Sequence, residues 1–371
     1  MRIVQVVNTL NHKDGGPARN SFELNLAFNA ADTTSASLIW IQGGWNSTVA
    51  ATQEAEGFLL PIKPRQIHIQ PKKKEYRIGL IKVWKLLQES DSVILHGYFL
   101  YWLPFLTIIS RFAGSKVYIM PHGALTPHEL QKKRIKKYIY LQTAGRVVNA
   151  LTSSLVTGSP QERNDVAARV SARAEWAGVG TVIPKEQPAA RGISAPIQLV
   201  TLSRLAPKKR IDLAIRAVSI LRSRGCEASL TVAGSGDTST EESLREIVTT
   251  EALEDHVGFA GLVTGADKRE LLFSADIFVL PSEDENFGIA VAEAAAHGLA
   301  VVASGNVASA NGLSDSVAAI VRELSAESIA DAVIELSRGY SMDTRRLARR
   351  EAEEQFSWGE VAHRWHEIMA Q

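Results

Sequence analysis

The sequence predicts two doubly wound α/β domains in tandem. Three observations carry this. Short runs rich in Val, Ile and Leu alternate with amphipathic helical stretches along the whole chain, the alternation stops at an aperiodic Pro-rich segment over 184–192 and then restarts, and 371 residues exceed one ordinary α/β core. With 45% hydrophobic and 22% charged residues the composition is that of a globular protein, which excludes a disordered or fibrous chain.

In the first series, 3–7, 37–41, 92–95, 116–120 and 155–157 read as buried strands, with amphipathic stretches such as 21–29 and 78–88 between them. The segment 184–192 (PKEQPAARG) has no periodicity and reads as a linker and hinge. Strands follow again at 197–202, 229–233, 257–259, 277–280, 300–303 and 318–321. Helices at 212–222, 240–249, 267–273, 289–297 and 326–336 separate them. The expected domains are 1–183 and 192–355, facing a central cleft with the carboxyl ends of both sheets presenting their loops to it.

Charge is divided unevenly. Residues 1–180 hold 22 Lys and Arg against 12 Asp and Glu, and the remainder holds 19 against 28, so a net of +1 conceals a basic half and an acidic half. An anionic partner for the first half is implied. The lone cysteine, Cys226, allows no intramolecular disulfide or cysteine-ligated metal cluster, which fits a reducing, cytoplasmic setting. Neither the opening apolar run nor the stretch 98–109, interrupted by Pro104, is long enough to be expected to span a bilayer.

The most informative segment runs from Asp276 to Gly298 (DIFVLPSEDENFGIAVAEAAAHG), a strand, a loop and a helix start. Such a start offers unpaired amides and a positive dipole end, and Gly288 admits an anion close to the backbone. Glu285 on the loop and Glu293 two turns into the helix are placed to accept hydrogen bonds from hydroxyls at opposite ends of one ligand. Spacing alone does not distinguish them, since Glu246 with Glu254 and Glu327 with Glu335 share it and read as solvated faces. The preceding strand, Gly288 and the small-residue helix do.

Arg204 and Lys209 lie on a second strand-to-helix loop and suit a diphosphate, Arg204 as a fork and Lys209 as a point charge; a solvated basic turn is the rival reading. Gly234 and Gly236 form another glycine turn after a strand, but Ser239 stands where a dinucleotide fingerprint has a third glycine, so a tight turn is favoured. In the first half Gly15 and Gly16 precede a helix, as a phosphate-admitting turn or a plain one. His96-Gly97 and His122-Gly123 each end a strand, and His122 is the better candidate ligand because a polar stretch follows it. The basic runs 72–74 with Arg77 and 132–137, beside the aromatic stretch 98–102, fit either solvated faces or a surface drawn to anionic lipid. Nucleic acid is not expected, for no recognised binding module is present.

Taken together these residues resemble the retaining glycosyltransferases of family 4, whose two-domain architecture is called GT-B. The resemblance rests on Glu285 and Glu293 framing Asn286-Phe287-Gly288, on Arg204 and Lys209, on Gly234-Ser-Gly236, on 257–263, on Gly15-Gly16, and on Phe356-Ser-Trp358 before the last helix. It implies that Arg204 and Lys209 bind a donor diphosphate. Glu285 and the amides of Asn286, Phe287, Gly288 and Ile289 would hold the donor sugar, Glu293 the ribose, and the backbone at Leu262 and Val263 the base. Gly16 would lie beside the phosphates, His122 would contact the donor sugar, and the helix 356–371 would return to the first domain. The leaving phosphate itself would take the acceptor's proton, with no metal and no cofactor beyond the nucleotide-sugar donor.

Two departures from that pattern stand out. Arg210 occupies a position where glycine is common, and Ala300 one where proline is common. The implied function is transfer of a sugar to a glycan or lipid-linked glycan in envelope, lipopolysaccharide or exopolysaccharide assembly, in the cytoplasm or on the inner face of its membrane. A nucleotide-sugar epimerase and a non-catalytic sugar-nucleotide-binding subunit are the alternatives, and turnover with label transfer separates them. A glycosidase fits poorly, because it would leave Arg204 and Lys209 without a task.

Overall fold

The computed structural model describes residues 1–8, 16–31, 33–40, 83–188 and 191–371. Gly15, the linker residues 189–190 and the basic run 72–74 with Arg77 fall outside them. The chain forms two compact units, Met1–Gly180 with Trp358–Gln371, and Thr181–Ser357.

In the first unit β1 (Arg2–Val7), β2 (Ser35–Trp40), β3 (Ser92–His96), β4 (Lys116–Met120), β5 (Ser154–Thr157) and β6 (Ala174–Trp176) form one sheet in the order β2-β1-β3-β4-β5-β6. All pairings are parallel. Every residue of β3 is buried, as expected for a strand covered on both faces and written as an unbroken apolar run. The edge strand β6 was not anticipated, because Ala-Glu-Trp has no apolar run and is only half-buried. The helix Trp358–Ala370 belongs to this unit through Trp365, which is fully buried with its ring edge-on to Phe28 and Tyr118 at 6.5 and 6.2 Å between centroids.

The second unit holds β7 (Ile197–Leu202), β8 (Ala228–Ala233), β9 (Val257–Gly261), β10 (Ile277–Leu280), β11 (Ala300–Ser304) and β12 (Ala318–Val321), in the order β12-β11-β10-β7-β8-β9 and again parallel throughout. Ile211, Ile215 and Val218 of the helix Ile211–Ser223 join Ile329 and Val333 of Ala326–Gly339 in the core against this sheet. At the amino end of β10, buried Asp276 accepts from Arg345 at 2.6 Å, from Arg191 at 2.7 Å and from the Gln198 amide at 3.1 Å. Arg345 lies in the helix Met342–Phe356, which the sequence reading did not separate and which a Ser341–Thr344 capping box starts. The proposed linker is fastened to this unit, for Arg349 donates to the carbonyls of Pro184 and Glu186.

Strand order fixes where each unit can bind. The first sheet changes direction between β1 and β3 and the second between β7 and β10, and open α/β sheets take ligands at the carboxyl ends of such switch points.

Candidate functional site

At the switch point of the second sheet, the loop after β7 and the loop after β10 are joined. Glu283 donates its amide to the Lys208 carbonyl at 2.8 Å, Lys208 reaches Asp284 at 2.9 Å, and Lys209 pairs with Glu285. The Lys209 and Glu285 side chains are only 13% and 21% exposed, so this pair is largely shielded from water. Arg204, on the same loop, is exposed and makes no ion pair among the described residues.

Arg210 has φ +50, a left-handed conformation that explains why glycine suits this position. The chain holds arginine there by clamping its guanidinium to Asp212 with two contacts of 3.1 Å and to Glu283 at 2.9 Å.

Gly288 caps the helix Ile289–Ala296 with φ +88. A Cβ at this position would stand 2.5 Å from Val307 Cγ1 and 2.9 Å from Ser309 Oγ, so only glycine fits. Ser309 fixes the turn from behind, donating its amide to Phe287 O and its hydroxyl to Gly288 O, each at 2.8 Å. The amides of Ile289 and Ala290 precede the first intrahelical acceptor and are available to an anion. The Phe287 side chain is buried edge-on to Phe356 at 5.6 Å, so only its backbone can serve a ligand. Asn286 Oδ1 is buried with no hydrogen-bond partner among the described residues.

Glu293 is buried on the second turn of that helix and accepts from Lys268 at 2.8 Å. Lys268 sits in the helix Gly265–Ser274 that follows β9, and no signal in the sequence pointed to it. Leu262, at the carboxyl end of β9, is 73% exposed, and Val263 is half-buried. Gly234 and Gly236 have a packing reason of their own. A Cβ on Gly234 would fall 1.8 Å from Ser203 O and one on Gly236 2.2 Å from Leu205 O, and the Gly234 amide is already given to Gly261 O at 2.7 Å. These glycines let the loops after β7 and β8 lie against each other.

A second constellation occupies the switch point of the first sheet. His122, with φ +53, follows β4 and stacks on His96 at 5.2 Å between ring centroids. His122 Nε2 lies 2.9 Å from His96 Nδ1, and His96 Nε2 lies 2.9 Å from Gln5 Oε1. Gln5 gives its amide nitrogen to Asn25 at 3.3 Å, which turns its oxygen toward His96. His96 must then donate from Nε2 and accept at Nδ1, His122 must donate from Nε2, and the neutral His122 keeps a lone pair on Nδ1. Burial lowers the His122 pKa to about 4, and burial followed by the neighbouring His122 holds His96 well below its ordinary value. Gln5 was missed in the sequence, although a polar residue inside the run Ile3–Val7 was a usable signal. Gly123 donates its amide to Glu162, which also accepts from the Gly158 amide at 2.9 Å and so ties the loop after β4 to the loop after β5. The first unit's Gly16 begins the helix Gly16–Ala30 with open space at its Cβ position.

No group of three His, Cys, Asp or Glu that could hold a metal ion occurs among the described residues. No described helix is long and apolar enough to cross a membrane.

Residues 196–338 match the family described as Glycosyl transferases group 1. Mannosylfructose-phosphate synthase from Agrobacterium fabrum is 38% identical over 110 residues, 28% of this chain and 24% of that protein. The chain thus spans about a quarter of the length of that relative. GDP-mannose:cellobiosyl-diphosphopolyprenol alpha-mannosyltransferase from Xanthomonas oryzae is 24% identical over 287 residues, covering 75% of this chain and 73% of that one. Among solved structures, HepE from Anabaena in complex with UDP superimposes with a TM-score of 0.75 over the whole of both chains at 16% identity, a likeness that fixes the fold. The chain is built on the two-unit GT-B fold of glycosyltransferases, and its second unit carries the Glycosyl transferases group 1 match.

Proposed function

We propose that this chain is a retaining glycosyltransferase that moves a hexose from a nucleoside diphosphate sugar to a lipid-linked glycan in envelope or exopolysaccharide assembly. The observation that carries the reading is the pairing of Lys209 with Glu285 beside the open helix start at Gly288, at the switch point of the second sheet. In this reading Arg204 and Lys209 take the diphosphate together with the amides of Ile289 and Ala290. Glu285 and Asn286 take hydroxyls of the sugar, Glu293 the ribose, and exposed Leu262 with Val263 the base. Gly234 shapes a turn beside the phosphates, and in the first unit His122 offers Nδ1 as a hydrogen-bond acceptor.

The chemistry follows from these charges. The bond from the anomeric carbon to the phosphate oxygen breaks, and two cations and a helix start lower the barrier by stabilising charge as it develops there. The acceptor oxygen attacks from the same face, its proton passing to the departing phosphate, so configuration is kept without a protein nucleophile. Because Arg204, Lys209 and the helix supply the positive charge, the proposal includes metal independence. The lipid-linked acceptor draws support from the Xanthomonas relative, whose name gives cellobiosyl-diphosphopolyprenol as its acceptor.

Transfer of labelled sugar from a panel of nucleotide sugars to a membrane extract tests the reading. Lys209→Met is expected to lower transfer at least about tenfold, roughly 1.4 kcal/mol of barrier, in a chain that still unfolds cooperatively. Unchanged turnover in that variant would remove Lys209 from the site. Interconversion of donor sugars without transfer would favour the epimerase instead.

A further inference from the structure

The helix Arg134–Gln142 buries none of its residues, yet it carries the apolar stripe Ile135, Tyr138 and Ile139 at helical spacing. Ile135 is 75% and Tyr138 63% exposed. A second such stripe lies on the helix Leu103–Phe112 and the loop before it, where Phe112 is 82%, Tyr101 73% and Phe105 56% exposed. The two are joined at that loop: Tyr140 packs its ring against Phe99 at 5.4 Å and hydrogen-bonds the Tyr98 carbonyl at 3.2 Å.

Cations are interleaved with the stripe. Lys132 and Lys137 share the single carboxylate of Glu129, at 2.6 and 3.8 Å, which leaves one positive charge on the trio, and Lys137 also covers the Phe99 ring at 5.0 Å. Lys133, Arg134 and Lys136 are exposed and have no acidic partner among the described residues. This corrects the surface expected from sequence in two respects. Tyr98 and Trp102 are buried core residues rather than surface aromatics, and the cations without an acidic partner are Lys133, Arg134 and Lys136 rather than the whole run.

We infer that this face of the first unit docks on an anionic bilayer, with Phe112, Phe105, Tyr101, Ile135, Tyr138 and Ile139 entering the headgroup region and Lys133, Arg134 and Lys136 meeting lipid phosphates. A short helix that buries nothing, exposes aromatic and aliphatic side chains together and surrounds them with unpaired cations has the composition of an interfacial helix. Charge complementarity selects anionic lipid over a neutral partner. The docking surface uses none of the residues assigned to the donor, so it stands or falls independently of the transferase reading.

The test is co-sedimentation of the full chain with vesicles of phosphatidylcholine alone and of phosphatidylcholine with one third phosphatidylglycerol. Binding to the anionic vesicles is expected, weakening as salt is raised. Each cation contributes about fivefold near an anionic surface, so replacing Lys133, Arg134 and Lys136 together by Gln is expected to weaken partitioning at least tenfold. Ile135→Ser with Tyr138→Ser is expected to do the same in low salt. Phe105→Ser with Phe112→Ser provides a second apolar variant, and melting temperature confirms folding in each. Wild-type chain left in the supernatant with anionic vesicles overturns the proposal, as does equal binding by all variants. Self-association lost in the apolar variants, without vesicle binding, would assign the face to a second copy of this chain instead.

Discussion

Glu285→Gln separates two effects that a generic loss of the site would not. Glu285 neutralises Lys209 within a pair mostly shielded from water. A diphosphate arriving at this edge must compete with the carboxylate for the lysine and tolerate its negative charge nearby. Glutamine keeps the shape and removes both obstacles. A partly shielded pair of this kind is worth up to about 1 kcal/mol, so a nucleoside diphosphate without sugar should bind roughly fivefold tighter. The donor sugar loses a charge-assisted hydrogen bond of about 1.5–3 kcal/mol, so kcat/KM for transfer should fall on the order of ten- to a hundredfold. Titration calorimetry with nucleoside diphosphates and labelled-donor transfer read the two arms. Affinity and turnover falling together, or neither moving, would refute the opposed roles given to the pair.

Other consequences are less coupled. Gly288→Ala forces an L side chain into φ +88 and against Val307, and should lower unfolding free energy by at least about 1–2 kcal/mol, read by urea titration. Arg345→Ala leaves buried Asp276 with one fewer cation and should cost about 3–5 kcal/mol of stability while nucleoside diphosphate affinity stays the same in the folded chain. Gln5→Leu removes the acceptor that orients His96, and is expected to lower kcat without changing nucleotide affinity; restoration of kcat by Gln5→Glu, which keeps an acceptor oxygen, distinguishes orientation from packing. His122 is held neutral down to about pH 4 in the folded chain, whereas an unfolded histidine protonates near 6.5. The unfolded state therefore binds more protons between these values. Stability should be full above pH 6.5 and decline as pH falls toward 4, and His122→Asn should make that melting-temperature profile shallower, with buried His96 supplying part of what remains.

Much of the fold was legible because parallel strands buried on both faces are written as unbroken apolar runs. Segments 197–202, 277–280 and 318–321 are found with the bounds the sequence suggested. The edge strand β6 was not legible, since three residues with one half-covered face need no such run. Of the site, Gly288, Glu285 and Lys209 could be read from a strand, a loop and a helix start, because helix geometry fixes what such a start offers. Lys268 could not, for its partnership with Glu293 joins two helices 25 residues apart in sequence through the fold alone. Within the aromatic run 98–102, Tyr101 is exposed as expected, but the burial of Tyr98 and Trp102 was not legible because it depends on partners far along the chain. The Tyr98 hydroxyl donates to Asn149 at 2.6 Å and the Trp102 indole to Asn8 at 3.1 Å, so both polar tips are satisfied inside. Arg210 shows the converse, a residue unsuited to its backbone angle and retained by two carboxylates that supply the compensating contacts.

A crystal structure of the chain soaked with a nucleoside diphosphate sugar tests the central claim most directly. The account predicts the diphosphate within hydrogen-bond reach of Arg204, Lys209 and the amides at the start of the helix Ile289–Ala296, with Lys209 turned away from Glu285. A diphosphate bound elsewhere, with the Lys209 and Glu285 pair undisturbed, would contradict it.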